Sequence, residues 1–325
     1  MNANLTRRVI LCAVLLLALT LIAETPSLGA LPADFRQVAD NASPAETTVT
    51  TFAVIGDFGT HDRHEAAVAA LVKSWQPAFI VTTGDDYYKQ AGGKGADKYR
   101  RSVASYYGPW LKGVPKYRGH KIGTAKVNAF FPAMGNHDYS DATPAPKTYL
   151  NYFTLPGAGF ASSSGTERYY DFTEGPVHFF MLDSNPQEPR GVTVASTQAQ
   201  WLQGALAAST SSWNIVVDHH PPFSSDTAHG PTPYMQWPFA EWGADVVISG
   251  HAHTYQRFMN DGIPYFVDGL GGGERHGFVA TRTPEPVAEF NTNWGAQKVV
   301  ETASTLRFEF YDLSGQLVDE YDVAR

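Results

Sequence analysis

Val49-Thr50-Thr51-Phe52-Ala53-Val54-Ile55-Gly56-Asp57-Phe58-Gly59 is the stretch on which the reading of the fold turns. Val49 to Ile55 is an apolar, β-branched run and predicts a strand. Gly56 ends it and leaves Asp57 at the strand's C-terminal end. Glu65 to Trp75 then carries Ala, Val and Leu at helical spacing, and Phe79 to Thr83 is strand-like again. Together they make one βαβ unit, so the two strands should pair in parallel. An open α/β sheet of this kind places its ligands outside the C-terminal strand ends, which makes Asp57 and its counterparts further along the chain the residues to follow.

Working outward, the same pattern recurs. Gly84-Asp85-Asp86-Tyr87-Tyr88 follows the second strand. Ala129 to Met134 is a third strand candidate, with Pro132 marking an edge or an irregularity, and Gly135-Asn136-His137-Asp138 comes after it. Tyr169 to Phe172 and Val177 to Leu182 predict a hairpin, and Thr197 to Ser209 an amphipathic helix. Ile215 to Val217 runs into Asp218-His219-His220-Pro221-Pro222, and Val246 to Ile248 into Gly250-His251-Ala252-His253. Ile263 to Val267, Thr305 to Tyr311 and Gln316 to Tyr321 finish the chain as β. The composite is α/β.

Each of these five loops delivers metal-ligand chemistry. Asp57 offers a hard carboxylate oxygen, although alone it reads as readily as a turn or helix-capping aspartate. Asp85 can bridge two cations. Tyr88 can present a phenolate, but a phenol of pKa about 10 ionises at ordinary pH only beside a strong Lewis acid, which points to trivalent iron. Asn136 supplies a neutral amide oxygen, while His137 can stay outside the coordination sphere as a proton donor. His219 ends its strand; His220, one residue on, is expected to point the other way, and so to stand behind the ligands or to be structural. His251 and His253, one residue apart, share a side. His229 lies in a loose loop after the fourth motif, and the sequence leaves open whether it lines the site; His61, His64, His120, His178 and His276 have no such context and read as solvated or packed.

Composition bounds the rest. The 325 residues are 43% hydrophobic and 17% charged, ordinary for a folded protein with a substantial core. Lys and Arg number 24 against 32 Asp and Glu, a net charge of −8 that argues against nucleic acid or an anionic membrane surface as partner. Arg7-Arg8 ahead of the apolar stretch Val9 to Ala23 reads as a signal peptide, residues 1–30, with an uncleaved N-terminal anchor as the alternative; residues 31–48 read as a linker and 49–325 as the catalytic domain. The stretch is short for a bilayer span, so no stable membrane partner is expected and the protein should be periplasmic or extracellular. The only cysteine, Cys12, lies inside it, so the processed chain would hold metal by His, carboxylate, amide or phenolate alone.

In order and type, the five loops resemble those of the calcineurin-like metallophosphoesterases, and more closely those of the purple acid phosphatases of small, single-domain type. The superfamily pattern has a histidine where this chain has Gly59, and this chain has Tyr88 instead. The resemblance implies a four-layer α/β/β/α sandwich, two mixed sheets flanked by helices. It implies Asp57, Asp85, Tyr88 and His253 on Fe(III), and Asp85, Asn136, His219 and His251 on a divalent Fe, Zn or Mn, with Asp85 bridging. It further implies small-molecule phosphate monoesters as substrates, attacked in line by a metal-bound hydroxide, with His137 protonating the leaving group and His229 a second candidate for that role. A phosphodiesterase or nucleotide hydrolase on the same metal pair is the alternative, and a non-catalytic binding protein on the same scaffold is a rival of another class. Oligomeric state is left open.

Overall fold

A computed structural model describes residues 49–112, 123–139, 146–282, 284–302 and 304–325. The expected signal peptide, linker, Cys12 and His120 lie outside them. Among the described residues no helix is long and apolar enough to cross a membrane.

The βαβ unit forms as expected. Strand β1 (Thr50–Ile55) pairs in parallel with β2 (Phe79–Thr82), and the helix Arg63–Ser74 connects them. Its N-cap is Asp62, whose carboxylate accepts from the backbone N–H of His64 and Glu65. The capping role open to Asp57 is therefore filled by another residue. β3 (Phe130–Pro132) adds in parallel to β2 as the edge strand, where Pro132 takes nothing from a further ladder.

β11 (Gly295–Glu301), β12 (Thr305–Asp312) and β13 (Leu317–Ala324) complete the first sheet in the order β13-β12-β11-β1-β2-β3, all three antiparallel to their neighbours. The second sheet runs β10-β8-β9-β7-β6-β5-β4. Its strands are β4 (Tyr170–Glu174), β5 (Val177–Met181), β6 (Trp213–Val217), β7 (Val246–Ser249), β8 (Tyr255–Asn260), β9 (Ile263–Asp268) and β10 (Ala288–Phe290). The β4–β5 hairpin is as expected; β5, β6, β7 and β9 pair in parallel. Strands β8, β10 and β11 were not anticipated.

Two mixed sheets face each other across an aromatic layer. Phe131 of the first sheet stacks on Phe172 of the second at 3.7 Å, Phe52 meets Phe179 edge-on at 5.4 Å, and Phe308 stacks on Phe266 at 4.8 Å. A second apolar cluster covers the other face of the second sheet. There Leu202 and Leu206 of the helix Thr197–Ala208 pack with Val216 and Val247. Central strands buried on both faces read as continuous apolar runs rather than alternating ones, which is why Phe52 to Ile55 and Val246 to Ile248 carry no polar residue. The sandwich holds the C-terminal ends of β1, β2, β3, β6 and β7 together, and the five loops leave from there.

Candidate metal centre

The backbone at these strand ends is unusual in one respect. Asp57, Asp85 and His251 all have positive φ, of 55°, 54° and 64°, a region costly for residues with a Cβ. Such strain, about 1–3 kcal/mol per residue, persists where the surroundings over-determine it, and clusters at functional sites. Here the surroundings are explicit. Asp57 N–H donates to Gly84 O at 3.1 Å, His251 N–H to the Asp57 carboxylate at 2.8 Å, and His137 N–H to the Asp85 carboxylate at 2.8 Å.

The exchange of histidine for Gly59 has a steric cause. A Cβ on Gly59 would stand 2.3 Å from both the carbonyl carbon of Asp86 and the N of Tyr87, so no side chain fits. Gly59 instead accepts from Tyr88 N–H at 2.8 Å and donates to Asp85 O at 3.1 Å. The first loop thus gives up a side chain to seat the second, and the second brings Tyr88.

Around one point stand Tyr88, Asp57 and His253. Tyr88 Oη is 3.2 Å from Asp57 Oδ1 and 2.9 Å from His253 Nε2; His253 Nε2 is 3.4 Å from Asp57 Oδ1. Around a second point stand Asn136 and His219, with Nε2 of the histidine 3.0 Å from Asn136 Oδ1 and 3.6 Å from Asp85 Oδ1. Donor atoms of Asp57, Asp85 and His219 lie within 4.8 Å of one another, as do those of His219, His220 and His251. Metal–ligand bonds of about 2.0–2.2 Å set at right angles put neighbouring donors about 3 Å apart, so the observed spacings are those of edges of coordination polyhedra.

Tautomers agree with this. His219 Nδ1 meets Thr83 O at 2.8 Å, and His253 Nδ1 meets Glu274 O. A carbonyl only accepts, so each Nδ1 carries the hydrogen and each Nε2 lone pair is free to bind a metal.

The charges also ask for cations. Burial pushes the Tyr88 phenol well above its ordinary range, and the Asp85 and Asp57 charges add to it. Burial alone would raise Asp57, but the hydrogen bond and charge of His253 hold it low. Burial opposes charge on His253, yet the hydrogen bond and charge of Asp57 outweigh it and push His253 up to about 9. His251 is shifted down by burial and by its neighbours His219 and His220, which keeps it neutral and its lone pair available. Behind the donors, burial raises Asp86 and Asp138. Asp138 Oδ2 accepts from Gly135 N–H at 2.9 Å, locking the third loop.

The structure brings all seven predicted ligand residues together, with both predicted proton donors beside them. The His137 ring is 4.5 Å from that of Tyr88 and its side chain is 42% exposed, at the mouth of the site. The His229 ring lies 4.1 Å from His251, so its loop does line the site. Two expectations fail. His220 does not point away: its ring sits 5.0 Å from His219 and 4.5 Å from His251. Side chains alternate only along a strand, but β6 ends at Val217 and the chain is already turning at His219. His276 is not an isolated packed residue either. It stacks flat on His253 at 4.4 Å and bonds Asp226 at 2.8 Å, and the other oxygen of Asp226 accepts from the N–H groups of Ala228 and His229. Neither Asp226 nor His276 carries a local sequence signal; Asp226 lies in the β6–β7 loop and His276 in the β9–β10 segment, and they meet only by tertiary folding.

Residues 50–255 match the Calcineurin-like phosphoesterase family, and the chain belongs to it. Within that family its homologues are purple acid phosphatases. It is 25% identical over 299 residues to purple acid phosphatase 4 of Arabidopsis thaliana, covering 85% of this chain and 84% of the relative. It is 25% identical over 260 residues to tartrate-resistant acid phosphatase type 5 of Mus musculus, covering 70% and 74%. The chain is accordingly a metal-dependent phosphoric ester hydrolase whose family implies a binuclear metal centre. Among solved structures it resembles the yellow lupin purple acid phosphatase PPD1, with a TM-score of 0.64 and 15% identity over 86% of this chain and 54% of that one. It also resembles GAP50, described as the anchor in the inner membrane complex of Plasmodium, with a TM-score of 0.62 and 15% identity over 85% and 89%. These two likenesses are of fold alone, and an anchor sharing the fold means that activity has to be argued from the site.

Proposed function

We propose that this chain is an exported phosphatase acting on phosphate monoesters, with Asp57, Asp85, Tyr88 and His253 holding Fe(III) and Asp85, Asn136, His219 and His251 holding a divalent Fe, Zn or Mn. The observation that carries this is the convergence of Tyr88 Oη on Asp57 and His253 at 3.2 and 2.9 Å. A buried phenol facing carboxylates has no reason to ionise unless a trivalent cation sits among them. When bound, such ions supply Lewis acidity, which acidifies water and neutralises charge on a phosphate oxygen.

The chain's own residues do the remainder. Asp85, reached from both donor sets, ties the two positions into one site. Thr83 O and Glu274 O fix the rings of His219 and His253 so that Nε2 faces inward. His137 at the mouth and His229 beside His251 are placed to give a proton to the departing alkoxide. Burial lowers His229 despite the opposing charge of Asp226. Its protonated form therefore belongs to the acid side of the ordinary histidine range, and a contribution from it should fade as pH rises. Export, to the periplasm or beyond, is supported by the Arg7-Arg8 and Val9 to Ala23 pattern; N-terminal sequencing of the mature protein tests it.

Turnover of p-nitrophenyl phosphate against bis-p-nitrophenyl phosphate, on protein of measured metal content, tests the substrate class. The monoester should be the better substrate at acidic pH. A clear preference for the bis ester would replace this reading with a phosphodiesterase on the same residues.

A further inference from the structure

His220 stands in the donor cluster, yet its hydrogen bonding is opposite in sense to that of its neighbours. Ser184, on the loop after β5, is fully buried and holds the His219-His220 turn. Its Oγ accepts from the backbone N–H of His219 at 3.2 Å and of His220 at 2.9 Å. A hydroxyl has two lone pairs and one hydrogen. With both lone pairs taken, the remaining 2.9 Å contact, to His220 Nδ1, is made by the Ser184 hydrogen. His220 Nδ1 is therefore an acceptor, and the hydrogen of the neutral ring sits on Nε2. His219 and His253 present a bare Nε2 because a carbonyl holds their Nδ1–H; His220 presents an Nε2–H because a saturated hydroxyl occupies its Nδ1.

We infer that His220 is not a metal ligand but a hydrogen-bond donor to a phosphate oxygen bound beside His219 and His251, with Ser184 as the positioning residue that fixes its tautomer. A ring nitrogen of His220 lies within 4.8 Å of ligand nitrogens of both those histidines, so a group held between them is within its reach. The identity of the acceptor rests on the phosphatase reading; the tautomer does not. A neutral N–H beside a cation adds no charge repulsion and offers a phosphate oxygen what a third coordinating histidine cannot. His220 would then hold the anion in register while leaving a coordination position open.

The test uses the metal-loaded full chain and inorganic phosphate, so that it needs no turnover. His220→Leu removes the donor, and His220→Gln restores an N–H. Both variants should retain the wild-type ion count by elemental analysis. Titration calorimetry should show orthophosphate binding weakened about tenfold or more in His220→Leu and largely recovered in His220→Gln. Ser184→Ala, which frees Nδ1 without touching the ring, should weaken phosphate binding by a smaller factor at unchanged ion count. Loss of one ion in either His220 variant would overturn the inference, as would unchanged phosphate binding in His220→Leu. Should His220→Leu fail to fold, ¹⁵N spectra of the zinc-loaded wild type read the ring directly. A proton on Nε2 supports the assignment and a proton on Nδ1 ends it. Absence of p-nitrophenyl phosphate turnover in a wild type that binds two ions and orthophosphate would instead overturn the phosphatase reading.

Discussion

The two sheets bring different chemistry to one site. The first sheet contributes oxygens: Asp57 after β1, Asp85 and Tyr88 after β2, Asn136 after β3. The second contributes nitrogens: His219 after β6, His251 and His253 after β7. Asp57 and Asp85 are nearly or fully buried and Asp57 is held in its charged form, so the oxygen half places negative charge in the protein interior, while burial pushes Asp86 and Asp138 behind them toward the neutral form. In the nitrogen half burial keeps His251 and the neighbouring His220 uncharged, and only His253, facing Asp57, is pushed up, to about 9. The oxygen half thus requires cations for its own electrostatics, and the nitrogen half fixes where they sit. Removing an oxygen should therefore cost more than removing a nitrogen.

A graded set of variants separates the two halves. Asp85→Asn keeps the shape and removes the charge shared by both positions. It should lose both ions and about three orders of magnitude in turnover, several kcal/mol at 1.36 kcal/mol per decade. His219→Ala, on the nitrogen half, should lose one ion and about two orders of magnitude. If elemental analysis and kinetics rank the two the other way, the asymmetry between the halves is wrong.

Gly59→His restores the superfamily's histidine and tests why this chain lacks it. Against the backbone of Asp86 and Tyr87, it should destabilise the fold by about 2 kcal/mol or more in urea unfolding. Unchanged stability would mean that the first loop has room for a ring after all.

Glu301, on β11 away from the site, is the smallest case and serves as a contrast. Burial and then the charge of Glu174 push it up to about 7. A carboxyl raised in the folded state binds its proton more tightly there than when unfolded. Its contribution is favourable below the unfolded value near 4.5 and is lost as pH rises through 7. Glu301→Gln should raise the melting midpoint at pH 7.5, by less than about 3 °C, and leave it unchanged at pH 4. A drop at pH 7.5 would mean Glu301 has a partner the structure does not give it.

Much of this was legible in the sequence because strand ends in parallel sheets announce themselves. An apolar run of β-branched residues stops at glycine, and the next polar residue lies at the site. Pro132 marked its strand as irregular or at an edge, and the strand lies at the edge. Legibility failed where a strand is polar or crowded by a motif. β11 lies centrally between β1 and β12, yet Gln297 and Lys298 interrupt its apolar pattern. β8 begins two residues after His253 and was hidden by the motif itself. His220 was misplaced for a related reason, since two-residue periodicity holds only while the chain is a strand. His276 and Asp226 could not be seen at all, because they are fifty positions apart and meet only by tertiary folding.

The central claim is that the two halves close on a pair of cations, one of them trivalent iron held by Tyr88. The most direct measurement is the visible spectrum and metal content of purified wild type beside Tyr88→Phe. Two ions per chain, at least one of them iron, with a tyrosinate-to-iron band that disappears in Tyr88→Phe, is the expected result. Active wild type that is colourless and free of iron would contradict it.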